Sequence, residues 1–251
     1  MVNELKYKRI DPPDRLADFV ESFWMLELGA EESRDIIVLP DGKIDLFFSR
    51  SATEPFHVTL SGLETMPDQA TLAAGTVMFA ISFKLLSIEY ILKSTVAGLI
   101  DTATYLPVDF WGFNADDLCD FEAFSRKAAA TIQSFLPAEI DSRKRDLFSL
   151  LYSTKGNMPV GELAAKVYWS SRQINRYFSQ QFGLSLKAYC NILRFRASFT
   201  QINAGKLFPQ ENFADQSHFI REVKKLSGVS PKELKRNQND RFIQFSVLDP
   251  E

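Results

Sequence analysis

The stretch Ser170–Phe182, SSRQINRYFSQQF, sets Arg172, Gln173, Asn175 and Arg176 close together. Arginine can hold guanine through two parallel hydrogen bonds, and Asn or Gln can hold adenine in the same way. Wound as a helix, the stretch turns Ile174, Phe178 and Phe182 inward and leaves those four polar side chains outside. A second stretch, Asp215–Leu234, DQSHFIREVKKLSGVSPKEL, echoes the first after a shift of 45 residues. Ser170 falls on Asp215, Ile174 on Phe219, Arg176 on Arg221, Phe178 on Val223, Gly183 on Gly228, Ser185 on Ser230 and Lys187 on Lys232. A cap, an outward arginine, an inward apolar pair and a stopping glycine in one order describe a unit used twice. The second copy leaves Gln216, Ser217, His218, Ile220 and Arg221 outside. Lys187, Lys224, Lys225 and Lys232 stand where phosphate would be met, and phosphate contacts set affinity and register.

Other chemistry finds little material. His57 and His218 are the only histidines, too few for a three-histidine metal site, and no phosphate-cradling glycine motif occurs. Cys119 lies among acids in DDLCDF, which disfavours a reactive thiolate. Asp41 and Asp45 flank Gly42, and a carboxylate pair can serve a glycosidase or a metal, but Asp-Gly in a turn points to structure. No catalytic residue, metal or cofactor is therefore expected, and the chain reads as a non-enzyme. The 22 phenylalanines read mainly as core. Should the first half enclose an effector pocket, Phe23, Trp24, Phe47, Phe79 and Phe83 are expected to wall it.

Helices must carry the two stretches. Leu163, Ala164 and Val167 suit a short bracing helix after Pro159, and Ser170 suits the N-cap of the next, giving a helix-turn-helix. In such a unit the second helix enters the major groove of duplex DNA. The first hundred residues read instead as short strands: Phe19–Leu28, Asp35–Leu39, Lys43–Phe48, His57–Leu63 and Val77–Leu86, with a tight turn at Pro40-Asp41-Gly42. A short helix capped by Ser87 follows, then helices over Asp116–Leu136 and Asp141–Tyr152. The predicted fold is α+β in two domains. Residues 1–140 form a small β-barrel or sandwich-like domain with helices, and residues 141–251 an all-α double helix-turn-helix.

Charge divides along the same line. Residues 1–149 hold 14 Lys and Arg against 24 Asp and Glu, while residues 150–251 hold 15 against 8. The basic part suits a polyanion partner. No apolar run is long enough to span a bilayer, the first ten residues lack a secretory core, and two isolated cysteines suit a reducing cytoplasm, where the chain is expected.

Leu163–Tyr189 and Phe213–Leu234, with LRFRAS (Leu193–Ser198) between them, resemble the paired helix-turn-helix units of AraC-type transcription regulators, and LRFRAS lies on that family's joining helix. The resemblance implies a bacterial, sequence-specific DNA-binding regulator whose recognition helices enter successive major grooves. It matches Arg172, Asn175 and Arg176 to groove-facing positions of the first unit, and Gln216, Ser217, Ile220 and Arg221 to those of the second. It departs at Asn203–Asn212, NAGKLFPQEN, where Gly205 and Pro209 oppose the usual bracing helix, so the second unit is expected to be shortened. The first half resembles the β-rich N-terminal module of a subset of these regulators. Duplex DNA is the implied partner. An unnamed small-molecule effector, RNA polymerase and a second copy of the chain remain open, as does the alternative of a ligand-binding or protein-interaction module whose degenerate helix-turn-helix no longer reads DNA.

Overall fold

Alternating β-branched and aromatic runs build two antiparallel sheets in the first part of the chain. The computed structural model describes residues 5–208, 213 and 215–246. Strands β1 (Leu5–Ile10), β2 (Val20–Leu28), β3 (Arg34–Val38), β4 (Ile44–Arg50), β5 (His57–Ser61), β6 (Asp68–Leu72), β7 (Val77–Phe83) and β8 (Ala103–Leu106) follow in order. Six of them form one sheet in the order β1-β2-β7-β4-β5-β8, and β3 pairs with β6 as a separate ribbon. Helices α1 (Leu86–Tyr90), α2 (Phe121–Ser134) and α3 (Ser142–Ser153) lead into α4 (Val160–Lys166), α5 (Ser171–Phe182), α6 (Leu186–Ala197), α7 (Phe199–Asn203), α8 (Gln216–Ser227), α9 (Pro231–Arg236) and α10 (Ile243–Ser246). The architecture is thus a β-rich, sandwich-like N-terminal region followed by a helical region with two helix-turn-helix units, the second shortened.

The pleat gives the large sheet two unlike faces. Directly opposed residues share a face and sequence neighbours alternate. The register opposes Phe23 to Ile81, Met25 to Phe79, Ile44 to Phe83, Leu46 to Ile81 and Leu60, and Phe48 to Phe79 and Val58. These side chains make one dry face, buried throughout. The rings of Phe121 and Phe124 from α2 pack on Phe79, and Phe113 packs on Phe48. The other face carries Trp24, Asp45, Phe47, Ser61 and Ser82. The ribbon covers one end of it, where Ile36 and Leu72 pack with Leu26 and Leu28 beside Trp24.

Two helix expectations change. Ser87 lies inside α1, and its hydroxyl donates to the Phe19 carbonyl instead of capping. The single helix expected over Asp116–Leu136 breaks at Asp120: a 3₁₀ turn covers Ala115–Cys119, and the Asp120 carboxylate caps α2 by accepting from the Ala123 amide at 3.0 Å.

The described residues ahead of α8 hold no bracing helix. After α7 the chain turns through Gly205 at φ +78°, and no helix occurs among the described residues between Asn203 and Gln216. Pro209–Asn212 and Ala214 lie outside the described residues. Helix α8 leans on α6 and α9, with the Phe213 ring 5.0 Å from Phe219.

One hydrophobic core runs through both regions. The Tyr152 hydroxyl accepts from the Leu85 amide at 3.0 Å, and the Tyr189 hydroxyl donates to the Gly42 carbonyl at 3.0 Å. Gly42, at φ +77°, turns the chain directly under Tyr189, while the Asp41 carboxylate closes the turn by accepting from the Lys43 amide at 2.9 Å. Beside this turn Glu21 of β2 is held by Lys43 and by Arg196 of α6, each at 2.9 Å. Burial alone would raise the Glu21 carboxyl, but the two cations and their hydrogen bonds outweigh it and hold it well below the usual range. Burial and Arg196 lower Lys43 to about 8, so the cluster stays charged at neutral pH. The C-terminal segment also returns to the β-rich region. The Ile37 amide donates to the Arg241 carbonyl at 2.6 Å, and the Gln244 side chain bonds both backbone groups of Leu39.

Candidate nucleic-acid interface

Helix α5 is specified locally at both ends. The Ser170 hydroxyl accepts from the Gln173 amide, and the Gln173 side chain accepts from the Ser170 amide at 2.9 Å, a reciprocal capping box. Gly183 closes the helix in the left-handed conformation at φ +78°. Ile174, Phe178 and Phe182 are sealed. The C-terminal carbonyls of Gln180 and Gln181 accept from the Thr95 hydroxyl at 2.9 Å each, and Gln181 also from the Val96 amide at 3.0 Å. The helix is therefore anchored by its C-terminal end to the β-rich region, while Arg172 and Arg176 project into solvent near its N-terminal end.

Asn175 departs from expectation. It is half-buried, its amide nitrogen donates to the Ser171 carbonyl at 2.9 Å, and its oxygen accepts from the Leu186 amide at 3.3 Å. That oxygen satisfies an orphan donor at the start of α6, so the side chain holds two helices together and is not presented to a base edge. Gln173 is exposed, but its Oε1 is spent in the capping box.

Helix α8 repeats the construction. The Asp215 carboxylate accepts from the His218 amide at 2.7 Å, and Gly228 ends the helix at φ +75°. Phe219 and Val223 are buried, while Gln216, Ser217, Ile220, Arg221, Lys224 and Lys225 are exposed. Ser217, Ile220, Arg221, Lys224 and Lys225 line a shallow concavity. His218 is half-buried with its ring against Phe213. The echo extends one step further, since Ser185 and Ser230 cap α6 and α9, with exposed Lys187 and Lys232 just beyond.

Seven cations gather on and beside these two helices. Arg172, Arg176, Lys187, Arg221, Lys224, Lys225 and Lys232 are exposed and make no ion pair among the described residues. Unneutralised cations on an exposed helical face favour a polyanion. Sequence reasoning missed Tyr168, which stands 88% exposed in the turn before Ser170. A tyrosine in a tight turn was its only signal.

The five aromatic residues expected to wall an effector pocket do not share a wall. Phe23, Phe79 and Phe83 belong to the dry face under α2 and are sealed. Trp24 and Phe47 are on the opposite face, with ring centroids 5.8 Å apart and Tyr7 6.2 Å from Trp24. The Trp24 indole donates to the Ser82 hydroxyl at 3.0 Å, and that hydroxyl donates to Asp45. Burial, reinforced by the charge of Asp41, pushes the Asp45 carboxyl up to about 7. A carboxyl raised in the folded state binds its proton more tightly than in the unfolded chain, so its contribution falls as pH rises from about 4 to about 7. Asp45→Asn is expected to remove this loss. The variant should gain about 4 kcal/mol on the wild type between pH 4 and pH 8 in urea unfolding; parallel pH profiles would contradict the assignment.

Other chemical candidates are occupied or screened. His57 bonds Ser49 and the Pro55 carbonyl, each at 2.9 Å. Cys190 is buried, and burial pushes its thiol up to about 11. Among the described residues no group of three or more His, Cys, Asp or Glu side chains is placed to hold a metal ion, and no helix is long and apolar enough to cross a membrane.

Residues 8–104 match a family model described as a domain of unknown function, DUF6597. No curated protein matches the chain. Among solved structures, ToxT from Vibrio cholerae aligns over 92% of this chain and 96% of its own, at 13% identity and a TM-score of 0.42. ToxT from Vibrio cholerae O395 aligns over 92% and 95%, at 12% identity and 0.44. The unsaturated fatty acid-bound wild-type ToxT from Vibrio cholerae strain SCE256 aligns over 93% and 94%, at 11% and 0.40.

Proposed function

We propose that the chain is an AraC-type transcription regulator that binds duplex DNA through the outward faces of α5 and α8, with the β-rich region as its sensing half. The observation that carries this reading is the cluster of seven exposed cations, without ion pairs among the described residues, on and beside two helices that each begin at a side-chain cap and end at a left-handed glycine. Arg172, Arg176 and Arg221 are the base-reading candidates; Lys187, Lys224, Lys225 and Lys232 serve phosphate. The acidic N-terminal half is the region that would meet an effector, a second copy or RNA polymerase.

The rival reading, a helix-turn-helix that no longer reads bases, draws on Asn175 and Gln173, whose side-chain oxygens are used inside the chain. Binding to bulk duplex DNA across a salt series separates the two. The regulator should bind at low salt and lose affinity steeply as salt rises; absence of binding at low salt favours the rival. At a selected site, Arg176→Ala is expected to cost about 1–3 kcal/mol and relax specificity, whereas Lys225→Ala should weaken all sequences alike and reduce the salt slope by about one. Equal binding by wild type and Arg176→Ala across salt would remove α5 from the mechanism.

A further inference from the structure

We propose that Tyr168, in the turn between α4 and α5, is a further DNA-contacting residue, its hydroxyl donating a hydrogen bond to a phosphate at the rim of the groove that α5 enters. This rests on the reading of the chain as a duplex-binding regulator and adds to it a contact made by a neutral side chain.

Tyr168 occupies a position that ordinarily belongs to glycine. The Tyr168 amide donates to the Ala165 carbonyl at 3.5 Å and the Trp169 amide to the Ala164 carbonyl at 3.1 Å, the paired bonds that close a helix through a left-handed residue. That residue is Tyr168, at φ +53°. The chain meets the same need at the ends of α5 and α8 with Gly183 and Gly228. A bulky L-residue is strained there, because its Cβ crowds the backbone.

Nothing inside the chain offsets that strain. Tyr168 is 88% exposed, and neither its ring nor its hydroxyl meets a partner among the described residues. The packing role falls to its neighbour: the Trp169 ring lies 5.5 Å from Tyr177 of α5, with the Arg143 guanidinium 5.2 Å from it. In the second unit the 45-residue shift puts Phe213 at the equivalent position, and there the ring packs inward, 5.0 Å from Phe219. A strained backbone that holds a side chain away from its own protein points to a contact outside it.

Position and charge identify the contact. Tyr168 stands two residues before the Ser170 cap, at the end of α5 that carries exposed Arg172 and Arg176. A recognition helix meets base edges with its N-terminal residues, so the turn ahead of it lies beside the sugar–phosphate backbone. The positive end of the helix macrodipole and the two arginines draw phosphate to this place. Tyrosine is among the side-chain donors that hold phosphate and fix register.

Binding of the full chain to a duplex selected from a random library and to bulk duplex, across a salt series, tests this with Tyr168→Phe and Tyr168→Gly. Tyr168→Phe should weaken both duplexes alike, by about threefold to tenfold, and Tyr168→Gly by at least as much. Because tyrosine is uncharged, the salt slope should stay that of the wild type, unlike the change expected for Lys225→Ala. In urea unfolding Tyr168→Gly should raise the midpoint, since glycine relieves the left-handed strain, so the weaker binder is the more stable protein. Unchanged binding by Tyr168→Phe, as a tyrosine kept for a protein partner would give, would overturn the proposal. So would a lower urea midpoint for Tyr168→Gly, as a structural role would give. Wild-type binding that persists undiminished in both variants defeats this contact alone; absence of wild-type binding at low salt defeats the regulator reading and this contact with it.

Discussion

Replacing Glu21 with alanine is expected to lower stability by about 3–4 kcal/mol, read as a shift in the urea midpoint without a change in slope. Glu21 holds Lys43, which is 3% exposed, and Arg196 on the joining helix α6. Without the carboxylate, Lys43 and Arg196 confront each other at the seam between sheet and helices, with Lys84 close by and Lys43 buried. The effect falls near the lower end for a broken buried pair because the Arg196 side chain keeps 34% of its exposure and is partly solvated. The double variant Glu21→Leu with Lys43→Met should recover part of the loss, since it leaves no buried Lys43 charge. A loss below about 1 kcal/mol for Glu21→Ala would show that the cluster is solvated like a surface pair.

The second large effect concerns the end of α5. Gly183→Ala is expected to cost about 3 kcal/mol, from the strain of an L-residue in the left-handed region and from collision of the new methyl group with its surroundings. That methyl would sit 2.5 Å from the Ala97 carbonyl oxygen and 2.7 Å from Ile100 Cγ1. Neither can yield cheaply, since Ala97 and Thr95 belong to the segment that anchors the helix. Gly228→Ala makes the control: it shares the positive φ, yet its nearest neighbour is Pro67 Cγ at 3.7 Å, so only the strain of about 1–2 kcal/mol should appear. Equal losses at the two glycines would mean that α5 is not pressed against the sheet region.

Both predictions concern contacts that the sequence does not display. What it displays well is local chemistry. Ser170, Asp215, Gly183 and Gly228 are read correctly because a cap depends on residues within one turn of it, whereas the capping role of Gln173 goes unread. The strands at β2, β3, β4, β5 and β7 are legible from their apolar content, whereas β1 (LKYKRI), β6 (DQATL) and β8 (ATYL) pass unnoticed because their exposed residues are polar or small. Asn175 looks like a base reader until the Leu186 amide, beyond the end of its helix, claims its oxygen. The five aromatics of the expected pocket divide between faces because only the pairing register tells which side of a pleat each one takes. Glu21 and Arg196 lie 175 residues apart, and no pattern announces such a pair.

In the proposed regulator, α5 and α8 present their exposed cations to duplex DNA. Selection of bound sites from a random duplex library by the purified full chain tests it most directly. Enrichment of one sequence motif, with binding that weakens steeply as salt rises and a motif blurred by Arg176→Ala, is the predicted result. A library that returns unenriched, with no retention of duplex at low salt, would contradict it.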